Sequence, residues 1–96
     1  MEPIFHEYED TAALLKSIAH PVRICIIMGL ERKGYCNVTD MKCGLDLPQS
    51  TVSTHLGILR DAGVVETLRK GTEIYYQLKD QRIIEILHTL GVKNHE

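Results

Sequence analysis

The chain has 96 residues, of which 44% are hydrophobic and 25% charged, and its formal net charge is −2. This length suits a single domain, residues 1–96, and is too short for two independent hydrophobic cores. No apolar run is long enough to span a membrane, and the first residues are acidic, whereas a secretory signal begins with basic ones. We therefore expect a cytoplasmic protein with one small core.

The acidic charge is concentrated at the N-terminus. Residues 1–10 hold four of the thirteen acidic residues and no lysine or arginine, so residues 11–96 carry nine acids against eleven bases, a net +2. A modest positive surface therefore remains available to nucleic acid. The three cysteines, Cys25, Cys36 and Cys43, are odd in number and match no zinc-finger spacing, so we expect reduced thiols.

The first half of the chain has the apolar periodicity of three helices. A second helix is predicted over residues 21–33, opened by its proline, and a short third helix over residues 38–43. Cys25 falls on the apolar stripe of the second helix and is interpreted as a small core residue. The first helix is predicted from one apolar stripe, formed by Phe5, Tyr8, Ala12, Leu15 and Ala19.

The segment 47–63 predicts a helix with two different faces. Its apolar side, expected in the core, consists of Val52, Leu56 and Leu59. Its opposite side has no acidic residue and consists of Gln49, Ser50, Ser53 and Thr54. Short hydroxyl and amide side chains near a helix N-terminus reach phosphates and base edges. We interpret this segment as a DNA recognition helix; the alternative is an ordinary solvated helix.

The segments after this helix alternate like two strands about a tight turn. Residues 64–69 and 72–78 form a predicted hairpin around Lys70 and Gly71. A helix followed at once by a basic-tipped hairpin indicates a winged helix. A last helix begins at Asp80 or Gln81, and its apolar belt consists of Ile83, Ile84, Ile86, Leu87 and Leu90. The predicted fold class is mainly α with a small β-hairpin, in the order ααααββα.

Three blocks of the chain together resemble the ArsR/SmtB family of bacterial repressors. They are AHPVRICI at 19–26, LPQSTVSTHL at 47–56 and GTEIYYQL at 71–78. The resemblance implies a homodimeric winged helix-turn-helix repressor that pairs through its first and last helices and leaves its operator when a signal arrives. The candidate DNA-binding residues are Gln49, Ser50, Thr51, Ser53, Thr54, His55, Arg60, Arg69 and Lys70.

The dimer interface is expected on the first and last helices, because their apolar belts exceed what one 96-residue core can cover. The candidate interface residues are Phe5, Tyr8, Ala12, Leu15, Ile83, Ile84, Leu87 and Leu90. The expected partners are therefore double-stranded operator DNA and a second copy of the chain, with no membrane.

The metal sites of the resembled family are replaced in this chain. A Cys-x-Cys-x-x-Cys site on the third helix corresponds here to Asn37, Thr39 and Lys42. In the site on the last helix, the positions after Asp80 become Arg82, Lys93 and Glu96, and two permanent cations repel Zn²⁺. We expect no metal and no cofactor. The chain is therefore closer to metal-independent members that regulate virulence or toxin genes.

Several alternatives stay open at this stage. Cys36 and Cys43 flank the third helix, and an exposed thiol of low pKa there would make a redox-responsive repressor. A displaced metal site would use His88, His95 and Glu96. In a third alternative the winged helix binds a protein and not nucleic acid, and the hairpin is its binding surface. The acid-free face of the recognition helix argues against this alternative. An enzyme is not expected, because Ser53 and His55 are two residues apart on one helix and point in different directions.

Overall fold

The chain folds as a succession of helices interrupted by a small antiparallel sheet. The computed structural model describes residues 4–94, except for the side chains of Lys42 and Cys43. A short 3₁₀ helix, Ile4–Tyr8, leads into the remaining elements in the order α1 (Glu9–Ile18), α2 (Pro21–Lys33), β1 (Tyr35–Asn37), α3 (Val38–Leu45), α4 (Gln49–Asp61), β2 (Val65–Lys70), β3 (Glu73–Leu78) and α5 (Gln81–Thr89). The predicted fold class, mainly helical with a winged helix-turn-helix order, is confirmed.

The sheet has three strands, and the predicted two-stranded hairpin is therefore incomplete. Its strand order is β1-β3-β2, and both pairs are antiparallel. Strand β1 pairs Cys36 with Tyr76, which lies far away in the sequence. Three residues are too few to show alternation, so this strand could be recognised only from its partner.

The ends of the helices follow local signals. The side chain of His20 caps α2 by accepting a hydrogen bond from the Val22 backbone nitrogen at 3.0 Å, and Pro21 follows it. At the other end, Gly34 adopts a φ of +88°, a left-handed conformation that favours glycine. Asp80 caps α5 by accepting from the Arg82 backbone nitrogen at 3.1 Å. The predicted bounds of α2 and the predicted start of α5 are confirmed.

The first predicted helix differs from the structure at its start. Phe5 lies in the 3₁₀ helix, and α1 begins only at Glu9, so the predicted apolar stripe is divided between two kinds of helix. The third helix is longer than predicted and ends at Leu45. Asp46, in the turn to α4, has a positive φ of 55°, which aspartate tolerates better than most residues.

The core is built from α2, α4, α5 and the residues that open β2. Its most fully buried side chains are Ile27, Leu30, Leu56, Leu59, Ile83, Leu87, Val52, Val64 and Val65. The interpretation of Cys25 as a core residue is wrong, since Cys25 is exposed while Cys36 of β1 is buried. Helix α2 is apolar around most of its circumference, so its periodicity does not indicate which side packs inward.

The expected role of α5 must also be corrected. Ile83, Ile84 and Leu87 are only 0%, 7% and 1% exposed within a single chain. They are covered by the chain's own core and are not left free to contact a second copy. Leu90, by contrast, is 73% exposed. The apolar belt is wide because α5 packs deeply into its own domain, where a helix needs more than one apolar side.

None of the helices within residues 4–94 is by itself long and apolar enough to cross a membrane. One bent pair of helical segments, Ile4–Ile18 with Pro21–Lys33, has the length and apolar composition of a membrane span, but its two halves meet at an angle of 84°.

Candidate nucleic-acid interface

Helix α4 presents the face that the sequence predicted. Val52, Leu56 and Leu59 are completely buried, so the opposite side of the helix is fixed toward solvent. That exposed side carries Gln49, Ser50, Ser53 and Thr54. Helix α3 packs against α4 across a three-residue turn, 46–48. This pair is a helix-turn-helix, and its second helix is held by apolar contacts that leave its polar side chains free.

The N-terminus of α4 is open. Pro48 stands at the N-cap position, and no side chain makes a capping hydrogen bond. The backbone nitrogens of Thr51 and Val52 bond to the Pro48 carbonyl at 3.1 and 3.2 Å. The first turn contains no acidic residue. The positive end of the helix dipole is therefore available to an anion such as a DNA phosphate.

The polar side chains of α4 differ in how freely they can bond. Thr54 Oγ1 donates to the Ser50 carbonyl oxygen at 2.9 Å, so its hydroxyl hydrogen is already used while its lone pairs remain available. The side chains of Gln49, Ser50 and Ser53 show no hydrogen bond to another described residue. Ser53 is therefore a freer donor than Thr54.

The remaining candidates on α4, Thr51 and Arg60, differ in exposure. Thr51 is half-buried. Arg60 is exposed, and its Nε lies 3.7 Å from Oδ1 of Asp61. That distance is too long for a hydrogen bond, and an exposed pair of this kind contributes little. Arg60 thus retains its donors at the end of α4.

His55 does not belong to the outward face, although it was grouped with the DNA-binding candidates. It is half-buried on the side of α4 that faces α2, where its Nδ1 lies 3.2 Å from Nη1 of Arg23. The His20 ring is centred 4.5 Å from the His55 ring. Burial lowers the pKa of His55, and His20 and Arg23 lower it further. Sequence reasoning missed His20 and Arg23, although both lie in the block AHPVRICI.

The hairpin tip places its two basic residues on opposite faces of the sheet. Arg69 pairs with Ile74, and Lys70 pairs with Glu73. Successive residues of a strand alternate sides, so Arg69 lies on the same face of β2 as the buried Val65, and Lys70 lies on the other face. Both side chains are exposed at the tip. The two positive charges therefore lie on opposite sides of the hairpin tip.

Lys70 is held by aromatic rings that the sequence alone did not bring together. Its Nζ lies 4.5 Å from the centre of the Tyr35 ring and 5.9 Å from that of Tyr75. The two rings meet edge to face with centres 5.3 Å apart. These cation–π contacts restrain the position of the Lys70 charge without neutralising it. Tyr35 reaches Lys70 only because β1 joins the sheet.

The structure disagrees with the redox hypothesis for Cys36. Cys36 is 5% exposed, and burial raises the pKa of its thiol, an effect larger than the opposing influence of Lys33. The hypothesis that Cys36 provides an exposed thiol of low pKa is therefore wrong. The Cys43 side chain lies outside the part of the chain that the structure describes.

The displaced metal site gains no support. Within the described residues, no three or more His, Cys, Asp and Glu side chains come together in a group that could hold a metal ion. His88 contacts Glu31 instead, with Nε2 and Oε1 3.1 Å apart, and Asn94 donates to the same oxygen at 2.7 Å. His95 and Glu96 lie outside the described residues.

Residues 20–67 match a family model described as bacterial regulatory protein, arsR family. The transcriptional repressor PagR of Bacillus anthracis is 43% identical over 83 residues, which cover 86% of this chain and 83% of PagR. A biofilm growth-associated repressor of Agrobacterium fabrum is 39% identical over 84 residues, which cover 84% of this chain and 71% of that protein.

Solved structures agree with this likeness. The crystal structure of PagR matches with a TM-score of 0.79 and 41% identity over 90% of this chain and 98% of that chain. That of NolR from Sinorhizobium fredii matches with a TM-score of 0.85 and 32% identity over 95% of this chain and 91% of that chain. The resemblance predicted from the three sequence blocks is confirmed. The chain belongs to the ArsR family of bacterial regulatory proteins and is a DNA-binding transcriptional regulator, not an enzyme.

Proposed function

We propose that the protein is a homodimeric repressor that binds a near-palindromic DNA operator in the cytoplasm. The observation that carries this proposal is the acid-free, exposed face of α4, next to an uncapped helix N-terminus. Amide and hydroxyl groups on such a face can read base edges in the major groove, while the helix dipole favours a phosphate. The similarity to two proteins named repressors supports repression as the regulatory outcome.

The proposed contacts divide by chemistry. Gln49, Ser50 and Ser53 supply free polar groups to the major groove, and Thr54 supplies its lone pairs. The β2–β3 hairpin, which is the wing of the fold, supplies positive charge to the DNA backbone through Arg69 and Lys70. The end of α4 does so through Arg60. Thr51 is half-buried, so it contributes at most a contact from its main chain or a contact to a DNA phosphate. His55 acts behind this surface, because its ring bonds to Arg23.

The proposed dimer rests on apolar side chains that a single chain leaves in water. Ile4, Phe5 and Tyr8 are 60%, 62% and 60% exposed, Leu15 is 45% exposed and Leu90 is 73% exposed. Contiguous exposed apolar surface marks an interaction site, and four of these five side chains lie on the 3₁₀ helix and α1. A two-fold pairing of the 3₁₀ helix, α1 and the end of α5 would cover them. It would also place two recognition helices about one DNA turn, roughly 34 Å, apart.

Selection from a random-sequence DNA pool tests operator binding directly. We expect the purified protein to enrich an inverted repeat whose half-sites are centred about 10 base pairs apart. Enrichment of a single half-site would contradict the dimer, and enrichment of no sequence would contradict specific recognition. A reporter placed downstream of the selected duplex should be expressed less when the protein is present; higher expression would contradict repression.

Removal of a single hydroxyl from α4 should weaken binding without affecting folding. We expect Ser53→Ala and Thr54→Ala each to lose about 1 to 3 kcal/mol of binding free energy for the selected duplex, because each removes a DNA contact and no core contact. Thr89→Ala is a matched control, since Thr89 makes the same backbone bond to Glu85 that Thr54 makes to Ser50, at 2.8 and 2.9 Å. Unchanged affinity in both α4 variants would refute the assignment of this face.

The wing should contribute charge and not sequence preference. Arg69→Ala and Lys70→Ala should weaken binding to all sequences alike, and each should lower the magnitude of the slope of log K against log salt concentration by about 1. Lys79→Ala is the control, because Lys79 is exposed at the opposite end of the hairpin. A changed base preference in either wing variant would mean that the wing reads sequence.

A further inference from the structure

Arg23 of α2 contacts the recognition helix through an imidazole ring. Its Nη1 lies 3.2 Å from Nδ1 of His55. Arginine carries only hydrogen-bond donors, so Nδ1 of His55 must accept and the ring proton must sit on Nε2. A protonated imidazole has no acceptor. This bond between α2 and α4 therefore exists only while His55 is neutral.

The surroundings of His55 favour its neutral form. The His20 ring is centred 4.5 Å away, and Nδ1 of His20 already accepts from the Val22 backbone nitrogen at 3.0 Å. Burial lowers the pKa of His55, and His20 and Arg23 lower it further. Helices α1 and α3 and strand β2 also pack against α4. No described ionisable side chain from these three elements shifts the pKa of His55.

Arg23 is held in this place without a carboxylate. Among the described residues no acidic side chain forms a salt bridge with it. The Nε atom of Arg23 is buried and has no hydrogen-bond partner among the described residues. Burying guanidinium atoms costs desolvation free energy, which one bond to a neutral ring offsets only in part. Such local costs are typical of positions that serve function.

The orientation of α4 requires a directional contact of this kind. The buried residues Val52, Leu56 and Leu59 anchor the helix by apolar packing, which has little directionality. His55 lies on a flank of the helix, with Thr51 and Ile58 one turn away on either side. A rotation of about 10° about the helix axis moves a side-chain atom roughly 5 Å from that axis by about 1 Å. A displacement of this size breaks hydrogen bonds to base edges.

We propose that Arg23 is a positioning residue for DNA recognition: its bond to neutral His55 sets the rotation of α4, and protonation of His55 releases the helix and weakens operator binding. This inference rests on the proposed operator binding. Its sign is opposite to that of a histidine touching phosphate, where protonation would strengthen binding. Because the pKa of His55 is lowered in the folded protein, binding is unaffected above the ordinary value of 6.5 and falls as the pH drops below it.

A comparison of wild type with His55→Asn tests the pH dependence. Both proteins are titrated, from about pH 8 to pH 5.5, with the duplex that wild type selects from a random-sequence pool. Wild type should lose affinity severalfold at the acidic end, and by less than about tenfold, because one proton binds at a pKa below 6.5. Oδ1 of asparagine occupies the place of Nδ1, can accept the same bond and does not titrate, so His55→Asn should bind almost normally at the alkaline end and show a much flatter profile. Tighter wild-type binding in acid, or an equal loss in both proteins, would overturn the proposal.

Salt dependence separates positioning from a direct phosphate contact. Arg23→Ala should lose about tenfold in affinity at the alkaline end with an unchanged salt slope, whereas loss of a phosphate contact would lower the magnitude of that slope by about 1. Arg23→Ala combined with His55→Ala should bind no more weakly than the weaker single variant. A shallower slope or additive losses would overturn the proposal. Should circular dichroism show that Arg23→Ala is unfolded, the pH profile of His55→Asn decides. Failure to enrich any duplex would instead refute operator binding itself.

Discussion

Leu87→Lys should unfold the protein and not merely separate the proposed dimer. Leu87 is 1% exposed and lies in the core beside Ile83, which is completely buried. The substitution removes a packed side chain and buries an ammonium group among apolar side chains. We expect a cost of about 4 kcal/mol or more, against a total stability of about 5 to 15 kcal/mol for a domain of this kind. Thermal unfolding followed by circular dichroism measures the loss.

Leu90→Lys is the matched control for this experiment. It introduces the same charge three residues later, at a side chain that is 73% exposed. The variant should keep the wild-type unfolding temperature at a protein concentration where wild type is monomeric. A folded Leu87→Lys protein with native stability would show that α5 does not pack into its own domain as the structure describes.

Phe5→Glu combined with Tyr8→Glu should give a folded monomer that has lost operator binding. Both rings are exposed in the single chain, at 62% and 60%, so neither substitution removes a core contact. In the proposed dimer, however, four carboxylates would be buried near the two-fold axis without partners. The monomer would hold one half-site only, and we expect at least about a 10³-fold loss of affinity, the lower bound of specific over non-specific binding.

Sedimentation velocity and titration with the selected duplex measure the two effects separately. Ala13→Glu is the control, because it places one carboxylate at an exposed position of α1 whose neighbours one turn away are not stripe residues. It should remain dimeric and bind normally. A stable dimer of the Phe5 and Tyr8 double variant with wild-type operator affinity would contradict the proposed interface and require another surface for pairing.

The recognition surface was predictable because its signals are local. The apolar and polar residues of α4 both follow the helical period. Because Val52, Leu56 and Leu59 are buried, the polar residues on the opposite side must face solvent. The ends of α2 were equally readable, since Pro21 favours the start of a helix and Gly34 tolerates the backbone conformation that ends it. Such features depend on neighbours within about two turns of the chain.

The cysteines show where local reasoning was insufficient. Cys25 stands between Ile24 and Ile26, and Cys36 stands between Tyr35 and Asn37, yet Cys25 is exposed and Cys36 is buried. Burial of Cys36 depends on β1 pairing with β3, which lies some 40 residues away. A strand of three residues gains its stability from that partner, so its own sequence carries almost no signal.

The sequence by itself therefore determined the family, the winged helix-turn-helix order and the polar face of α4, because each depends on residues close together in the chain. Only the tertiary structure decided that His55 turns toward Arg23, that Tyr35 holds Lys70, and that Leu87 belongs to the core. Each of these contacts joins elements distant in sequence. Such contacts form when apolar faces pack, and the side chains brought together at their edges have no common local pattern that could reveal them beforehand.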